Sequence, residues 1–289
     1  MYKRQALQGT MGAHYARLSG EPDAVAAALG EQYQQVSTTP AGLALTLADR
    51  CDSLLGLFAV GLAPRGSNDP FALRRAALGI IETLIANRTS CDLRCALSRA
   101  APLLPVSPYP DPLPQGGRGG EDVQEAVLQF IIGRLEGVLR DRGCPASVVK
   151  AVLAAQGHNP YAASQAAREL NDALAAADWP TLLAAYSRCV RITRSLAEPL
   201  PLRPDDFDLA AEKALCDAHQ SAVAALDGRT SVTRFITALR ELEPAITTFF
   251  LDVLVMDEDP ARRDNRLALL QGISALPDNI ADLSQLEGF

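Results

Sequence analysis

Over 289 residues the chain carries 27 Lys+Arg against 34 Asp+Glu, a formal net charge of −7, with 48% apolar and 5% aromatic residues. The apolar share excludes a disordered chain, no apolar run reaches the roughly 18–20 residues a membrane helix needs, and the acidic balance argues against general adhesion to nucleic acid. The opening residues 1–7 hold no apolar signal-type run, so no secretory signal is visible and a cytoplasmic location is expected.

Residues 22–36 and 41–60 are rich in Ala and Leu, with Leu43, Leu47, Leu54, Leu55 and Phe58 at helical spacings. Pro64, Gly66, Ser67 and Asn68 break that pattern. Asp69-Pro70 predicts a helix start, with Asp as N-cap and Pro in the first position, and a helix running through Ala72–Leu78 towards Ala86. Residues 102–120 hold six prolines and four glycines, the composition of a linker or exposed insertion. Val123, Val127, Leu128, Ile131, Leu135 and Val138 then mark an amphipathic helix, and helical patterns follow at 146–155, 162–176 and 180–196. A proline-rich boundary sits at 198–204. Pro244 is predicted to open a helix with Ile246, Phe249, Phe250, Val253 and Leu254 on its apolar face. The acidic turn Asp257-Glu258-Asp259-Pro260 ends it, and a last helix carries Leu267, Leu270 and Ile273. No run alternates as strands do between turn dipeptides, so the expected fold class is all-α, and no repeat of 20–50 residues is visible.

Charge is unevenly placed. Residues 1–100 carry 10 basic and 8 acidic side chains, residues 101–204 carry 10 of each, and residues 205–289 carry 7 basic against 16 acidic. The six cysteines (Cys51, Cys91, Cys95, Cys144, Cys189, Cys216) form no paired CxxC and no spacing with histidines that a zinc site needs. They are read as reduced, partly buried small hydrophobes, with Cys91 and Cys95 spaced i,i+4 on a helix. His158 and His219 lie in polar surroundings and are read as surface or satisfied histidines. There is no Walker loop, dinucleotide fingerprint or nucleophile elbow, so no catalytic residue and no metal ligand set is assigned. The glycine-rich run 116–120 follows prolines rather than a strand and is not read as a phosphate cradle.

Two constellations carry chemistry. His14 with Asp49 and Asp52 offers the residue types of a divalent-metal phosphohydrolase, but too few of them for a working site. A capping or hydrogen-bonding role is the structural alternative. Arg262-Arg263-Asp264-Asn265-Arg266 follows Pro260 at a helix start, where backbone N–H groups and arginine together favour phosphate. The alternative is that Asp257, Glu258 and Asp259 pair with these arginines.

The stretch Ala48-Asp49-Arg50-Cys51-Asp52-Ser53-Leu54-Leu55-Gly56-Leu57-Phe58, followed by Gly61, Pro64 and then residues 69–79, DPFALRRAALG, closely resembles the signature of the β subunit of bacterial heterotetrameric glycyl-tRNA synthetase. Residues 7–12, His14-Tyr15-Ala16 and Gly20-Glu21-Pro22 upstream, and 249–256, 263–270 and 281–286 downstream, resemble the same family in the same order. The resemblance covers nearly the whole chain. It implies a C-terminal portion of that subunit: the second half of an HD-type helical domain over 1–100, an insertion at 101–120, a helical middle region over 121–204, and a helical-bundle anticodon-binding (DALR-like) domain over 205–289. It implies tRNA(Gly) and a glycine-activating α subunit as partners in a heterotetramer. It also implies that ATP is used on that α subunit and that no cofactor is held in this part. Arg262, Arg263, Asn265 and Arg266, with Arg74 and Arg75 of the signature, become candidate tRNA contacts, with Asn265 read as bracing the helix rather than reading a base. His14, Asp49 and Asp52 become the HD-like remnant. Two rival functions stay open: a metal phosphohydrolase remnant and a purely structural helical module that docks to another subunit.

Overall fold

A computed structural model describes residues 7–104, 120–196, 198–226 and 231–289. The described residues are helical and contain no strand; a single β-bridge joins Arg65 and Asn68. No helix among them is long and apolar enough to cross a membrane. Most of the 101–120 insertion, with its glycine run, lies outside the described residues. The chain forms two compact units, 1–141 with 157–164, and 142–156 with 165–289. Residues 121–204 contribute to both units.

In the first unit, α1 (Gln8–Leu18) and α2 (Asp23–Glu31) cross closely because their contact is made of small residues. A Cβ on Gly9 would stand 2.8 Å from the Gly30 carbonyl oxygen, and one on Gly30 would stand 3.5 Å from the Ala13 methyl. Glu31, the last residue of α2, fastens the chain to α3 (Pro40–Ala59). Its carboxylate accepts from the N–H groups of Thr38 and Thr39, both at 3.1 Å, and from their hydroxyls at 2.8 and 3.0 Å. Thr39 is in turn the N-cap of α3, its Oγ1 accepting from Gly42 N–H at 3.0 Å. Burial pushes the Glu31 carboxyl up, but the Thr39 and Thr38 bonds outweigh it and hold the group below its usual range. A depressed carboxylate pKa contributes stability above the unfolded value, and that contribution is lost as pH falls through the folded value. Glu31→Ala is therefore expected to cost about 1–2 kcal/mol near neutral pH, and to cost progressively less as pH falls below the ordinary carboxylate range. Urea titrations at stepped pH check both the size and the trend.

The core of this unit is built on α3, which packs against α2, α4 (Leu73–Ala86), α5 (Leu93–Ala100) and α6 (Gly120–Asp141). Leu54 and Leu55 of α3, Ile80, Ile81 and Leu84 of α4, Leu93 and Leu97 of α5, and Ile131 and Leu135 of α6 are all buried. Helix α4 starts later than Asp69-Pro70 predicts. Asp69 to Ala72 form a turn closed by Ala72 N–H on Asp69 O at 3.2 Å, and Ala72 takes a left-handed conformation (φ 56°), so the first helical residue is Leu73. Asp69 still caps: its carboxylate accepts from the N–H groups of Leu73 (2.8 Å) and Arg74 (2.9 Å). Likewise Cys91 is not on a helix with Cys95, because Asp92 caps α5 and the helix starts at Leu93.

The second unit holds α7 (Ala146–Gln156), most of α8 (Pro160–Leu174), α9 (Trp179–Thr193), α10 (Ala210–Leu226), α11 (Val232–Asp252) and α12 (Pro260–Ser274). Helix α9 packs on α11 and α12, and α10 packs on α11 and α12. Pro244 lies inside α11 instead of opening it. A proline costs an interior helix about 3 kcal/mol. Here the buried stripe Val232, Phe235, Ile236, Leu239, Leu242, Ile246 and Phe249 runs unbroken on both sides of it, and burial of that stripe overrides the local penalty. The helix ends at Asp252, so Val253 is buried beyond it while Leu254 turns outward, 73% exposed.

All six cysteines are free thiols. Burial pushes the thiol of Cys51 up to about 11 and that of Cys189 to about 12, which keeps both protonated and inert near neutral pH. His219 departs from the surface reading. It is buried against Gly272, its Nδ1 has no hydrogen-bond partner, and burial lowers its pKa.

Candidate functional site

The arginine cluster lies at the start of α12. Asp259 is the N-cap, its carboxylate accepting from Ala261 N–H at 2.9 Å, and Pro260 takes the first turn, where no N–H is needed. One turn later Arg266 points inward. Its side chain is 4% exposed, and its Nε donates to Glu212 Oε1 at 2.6 Å. Its Nη1 donates to Asp257 Oδ2 at 2.6 Å and to the Leu254 carbonyl at 2.9 Å. Glu212, also 4% exposed, sits at the third position of α10, where its other oxygen accepts from the N–H groups of Leu209 (2.9 Å) and Asp208 (3.1 Å). One carboxylate thus caps α10 and neutralises Arg266. Burial pushes the Glu212 carboxyl up, but the Leu209, Arg266 and Asp208 hydrogen bonds outweigh it and leave it below the usual range. Asp257 is held low by the Asp259 N–H and by Arg266.

This geometry corrects the assignment of Arg266 as an RNA contact: its donors are engaged inside the fold and it presents almost no surface. Asn265 is buried, its Oδ1 accepting from Arg203 N–H and its Nδ2 donating to Arg203 O, both at 2.8 Å. It braces the proline-rich segment at Arg203, where the sequence reading has it bracing its own helix. Arg262 and Arg263 are the outward members, with side chains 52% and 35% exposed. Arg262 pairs with Asp208 at 2.9 Å and more loosely with Asp259 at 3.9 Å, and Arg263 pairs with its neighbour Asp264 at 3.3 Å. The acidic-turn alternative therefore describes Asp257 and Asp259, while the buried partner, Glu212, lies 54 residues away, beyond the reach of local spacing. Its legible trace was a glutamate three residues into a helix, the place from which such a side chain reaches back to cap.

In the first unit, Arg74 is turned onto the tight Gly66-Ser67 turn, where its guanidinium donates to both carbonyls. Arg75 is exposed. The two halves of the sequence signature meet through Arg50, whose Nη2 donates to Gln34 O at 2.7 Å and whose Nη1 donates to Gln35 O at 3.4 Å. That guanidinium lies over Gly79, in space a Cβ would need. Within the signature, Arg50 serves packing. His14, Asp49 and Asp52 are all exposed, and the nearest ring to His14 is Tyr15, edge-on at 5.7 Å. Among the described residues no group of three or more His, Cys, Asp or Glu side chains converges as metal ligands do.

Comparison with known proteins gives the geometry a setting. A family model described as glycyl-tRNA synthetase beta subunit matches residues 2–154. The chain is 36% identical over 292 aligned residues to the glycine–tRNA ligase beta subunit of Shewanella pealeana, an alignment that takes in 97% of this chain and 41% of that protein. It is 37% identical to the corresponding subunit of Myxococcus xanthus with the same coverage. It is also 33% identical to the chloroplastic/mitochondrial glycine–tRNA ligase 2 of Arabidopsis thaliana, over 98% of this chain and 26% of the plant protein. The chain thus spans about two fifths of the length of the bacterial relatives it matches.

Proposed function

The chain belongs to the glycyl-tRNA synthetase β-subunit family, and from that premise we propose that it acts in glycine–tRNA ligation by holding tRNA(Gly) while a partner α subunit activates glycine with ATP. The family match over both units is the observation that carries this reading. On the same reading the chain is the C-terminal part of its subunit, with the first unit as the latter half of an HD-type helical domain. The α10–α12 bundle is then a DALR-like anticodon-binding domain, in a heterotetramer working in the cytoplasm. The acidity of residues 205–289 is partly taken up inside the unit: Asp208, Glu212, Asp257 and Asp259 are turned onto arginines and backbone amides of the same unit, which leaves room for a local RNA contact. Arg262 and Arg263 remain available at the rim of α12, each tethered by surface carboxylates that a phosphate can replace.

The test is a titration of labelled tRNA(Gly) at low and moderate salt. Wild-type chain is expected to bind with a steep salt dependence, and Arg262→Ala with Arg263→Ala to lower the log-affinity against log-salt slope by about 1 for each phosphate no longer bound. Unchanged affinity in the double variant removes these two residues from the interface. No binding by wild-type chain, alone or with an α subunit, rejects the tRNA reading. A structural docking role is favoured by a different observation: Leu7, Met11, Tyr15 and Leu18 line one exposed face of α1, at 41–70% exposure. That reading predicts assembly with an α subunit and indifference to tRNA.

A further inference from the structure

Helix α9 packs its Tyr186, Cys189 and Thr193 side inward and leaves Arg188, Arg191 and Arg194 exposed at its C-terminal end. The three lie at i, i+3 and i+6, so they follow one another along the helix surface at about 4.5 Å of axial rise per step. Among the described residues none of them has a carboxylate within ion-pairing distance, in contrast to Arg262 and Arg263, which are each paired. Arg188 is held against the fold by one contact: its guanidinium stands 4.9 Å from the centroid of the Phe250 ring, a cation–π arrangement that engages none of its N–H donors with a carboxylate among the described residues. The platform beneath is pinned. Tyr186 donates its hydroxyl to the Ser274 carbonyl at 2.7 Å, Thr193 Oγ1 donates to Cys189 O at 2.8 Å, and Thr193 and Ser274 hydroxyls meet at 3.3 Å. The buried ring contact of Tyr186 with Phe235 fixes the same turn against α11.

We infer that Arg188, Arg191 and Arg194 of α9 form a phosphate-tracking strip for the RNA substrate. A row of guanidinium groups without carboxylate partners among the described residues, the first of them set by the Phe250 ring, fits a ligand that presents several phosphates in succession, each able to take two parallel N–H bonds from one arginine. The inference rests on the tRNA reading above, and it places contact in a segment that carries no excess of acid rather than in the acidic last 85 residues. A helix C-terminus also stabilises cations through its dipole, so the test has to separate ligand binding from helix stability.

The full chain is titrated with a fluorescent tRNA(Gly) transcript by anisotropy between roughly 50 and 200 mM salt, the range over which phosphate contacts read out most strongly. Arg191→Ala with Arg194→Ala is expected to weaken binding severalfold at the lower salt and to reduce the salt slope by about 1.5–2, with only the small loss of thermal stability that two cations at a helix C-terminus account for. The Arg191→Lys, Arg194→Lys pair keeps the slope within about 0.5 of wild type, because the point charges remain. If wild type binds and the alanine pair binds with the same affinity and slope, the strip is not an RNA contact. The strip is equally overturned if the pair only lowers the unfolding temperature, or if poly-glutamate displaces the transcript as well as unlabelled RNA does. If wild type itself fails to bind, the tRNA reading falls and the strip falls with it. Arg262→Ala with Arg263→Ala, run alongside, moves independently of these outcomes.

Discussion

Arg266→Ala is expected to destabilise the second unit by about 3–5 kcal/mol. The substitution leaves the Glu212 carboxylate 4% exposed with no cation beside it, and strips the Leu254 carbonyl of its donor. Removing one partner of a buried pair costs far more than the pair itself contributes, because the survivor is left charged in a low-dielectric site. Glu212→Ala should cost a comparable amount, and the double variant should cost clearly less than the two separately, the mark of a coupled pair. Acid should mimic the mutation. Glu212 is held below its ordinary pKa, so its contribution is complete above the ordinary carboxylate range and is lost as pH falls through the lowered value. Equilibrium unfolding of the three variants at neutral and acid pH measures all of this. A loss under about 1 kcal/mol for Arg266→Ala, with RNA affinity reduced instead, would return that residue to the interface.

Leu55→Ala is expected to cost the first unit about 2–5 kcal/mol, the spread depending on how far the site collapses around the missing atoms. Leu55 is fully buried on α3, the helix against which α2, α4, α5 and α6 all pack, so its cavity is bounded by rigid neighbours on several sides. Denaturant unfolding gives the total, and hydrogen exchange at amides of α3, α4 and α6 shows whether protection falls across that unit. A change below about 1 kcal/mol would mean that the helices close over the gap, and that the packing is looser than the burial implies.

Which parts of this architecture the sequence reveals follows from the range over which each cause acts. The periodic stretches at 41–60, 123–138, 146–155 and 180–196 all lie within helices or run past a helix end by a few residues. Local causes produced the readable signals, such as Asp259-Pro260 opening α12 and Asp69 capping α4. Where local and tertiary causes compete, spacing misleads. Pro244 looks like a helix start when read with its immediate neighbours, and becomes an interior residue only when the apolar stripe from Val232 to Phe249 is counted as one face. Asp69-Pro70 looks like the first turn of α4, but the left-handed Ala72 delays it. The candidate site was the least legible. Arg262, Arg263 and Arg266 are indistinguishable as letters, and only the distant Glu212 separates a buried brace from two rim residues. The opposite case is α9. Three arginines at three-residue spacing stood in plain view within 180–196, yet with no knowledge of where the carboxylates are engaged they carried no more weight than the paired ones.

The Glu212–Arg266–Asp257 triad also sets terms on how this chain can change over generations. Neither Glu212 nor Arg266 can be exchanged alone without burying an uncompensated charge or leaving the amides of Asp208 and Leu209 unpaired, so these two positions behave as a single heritable character spread over 55 residues of gene, with the quarter-exposed Asp257 as the looser third member. Arg262 and Arg263, with each carboxylate partner near solvent, carry no such bond and can drift one at a time. Within a single pentapeptide, then, one arginine is tied to the history of a distant helix while its neighbours are free to follow the surface they line.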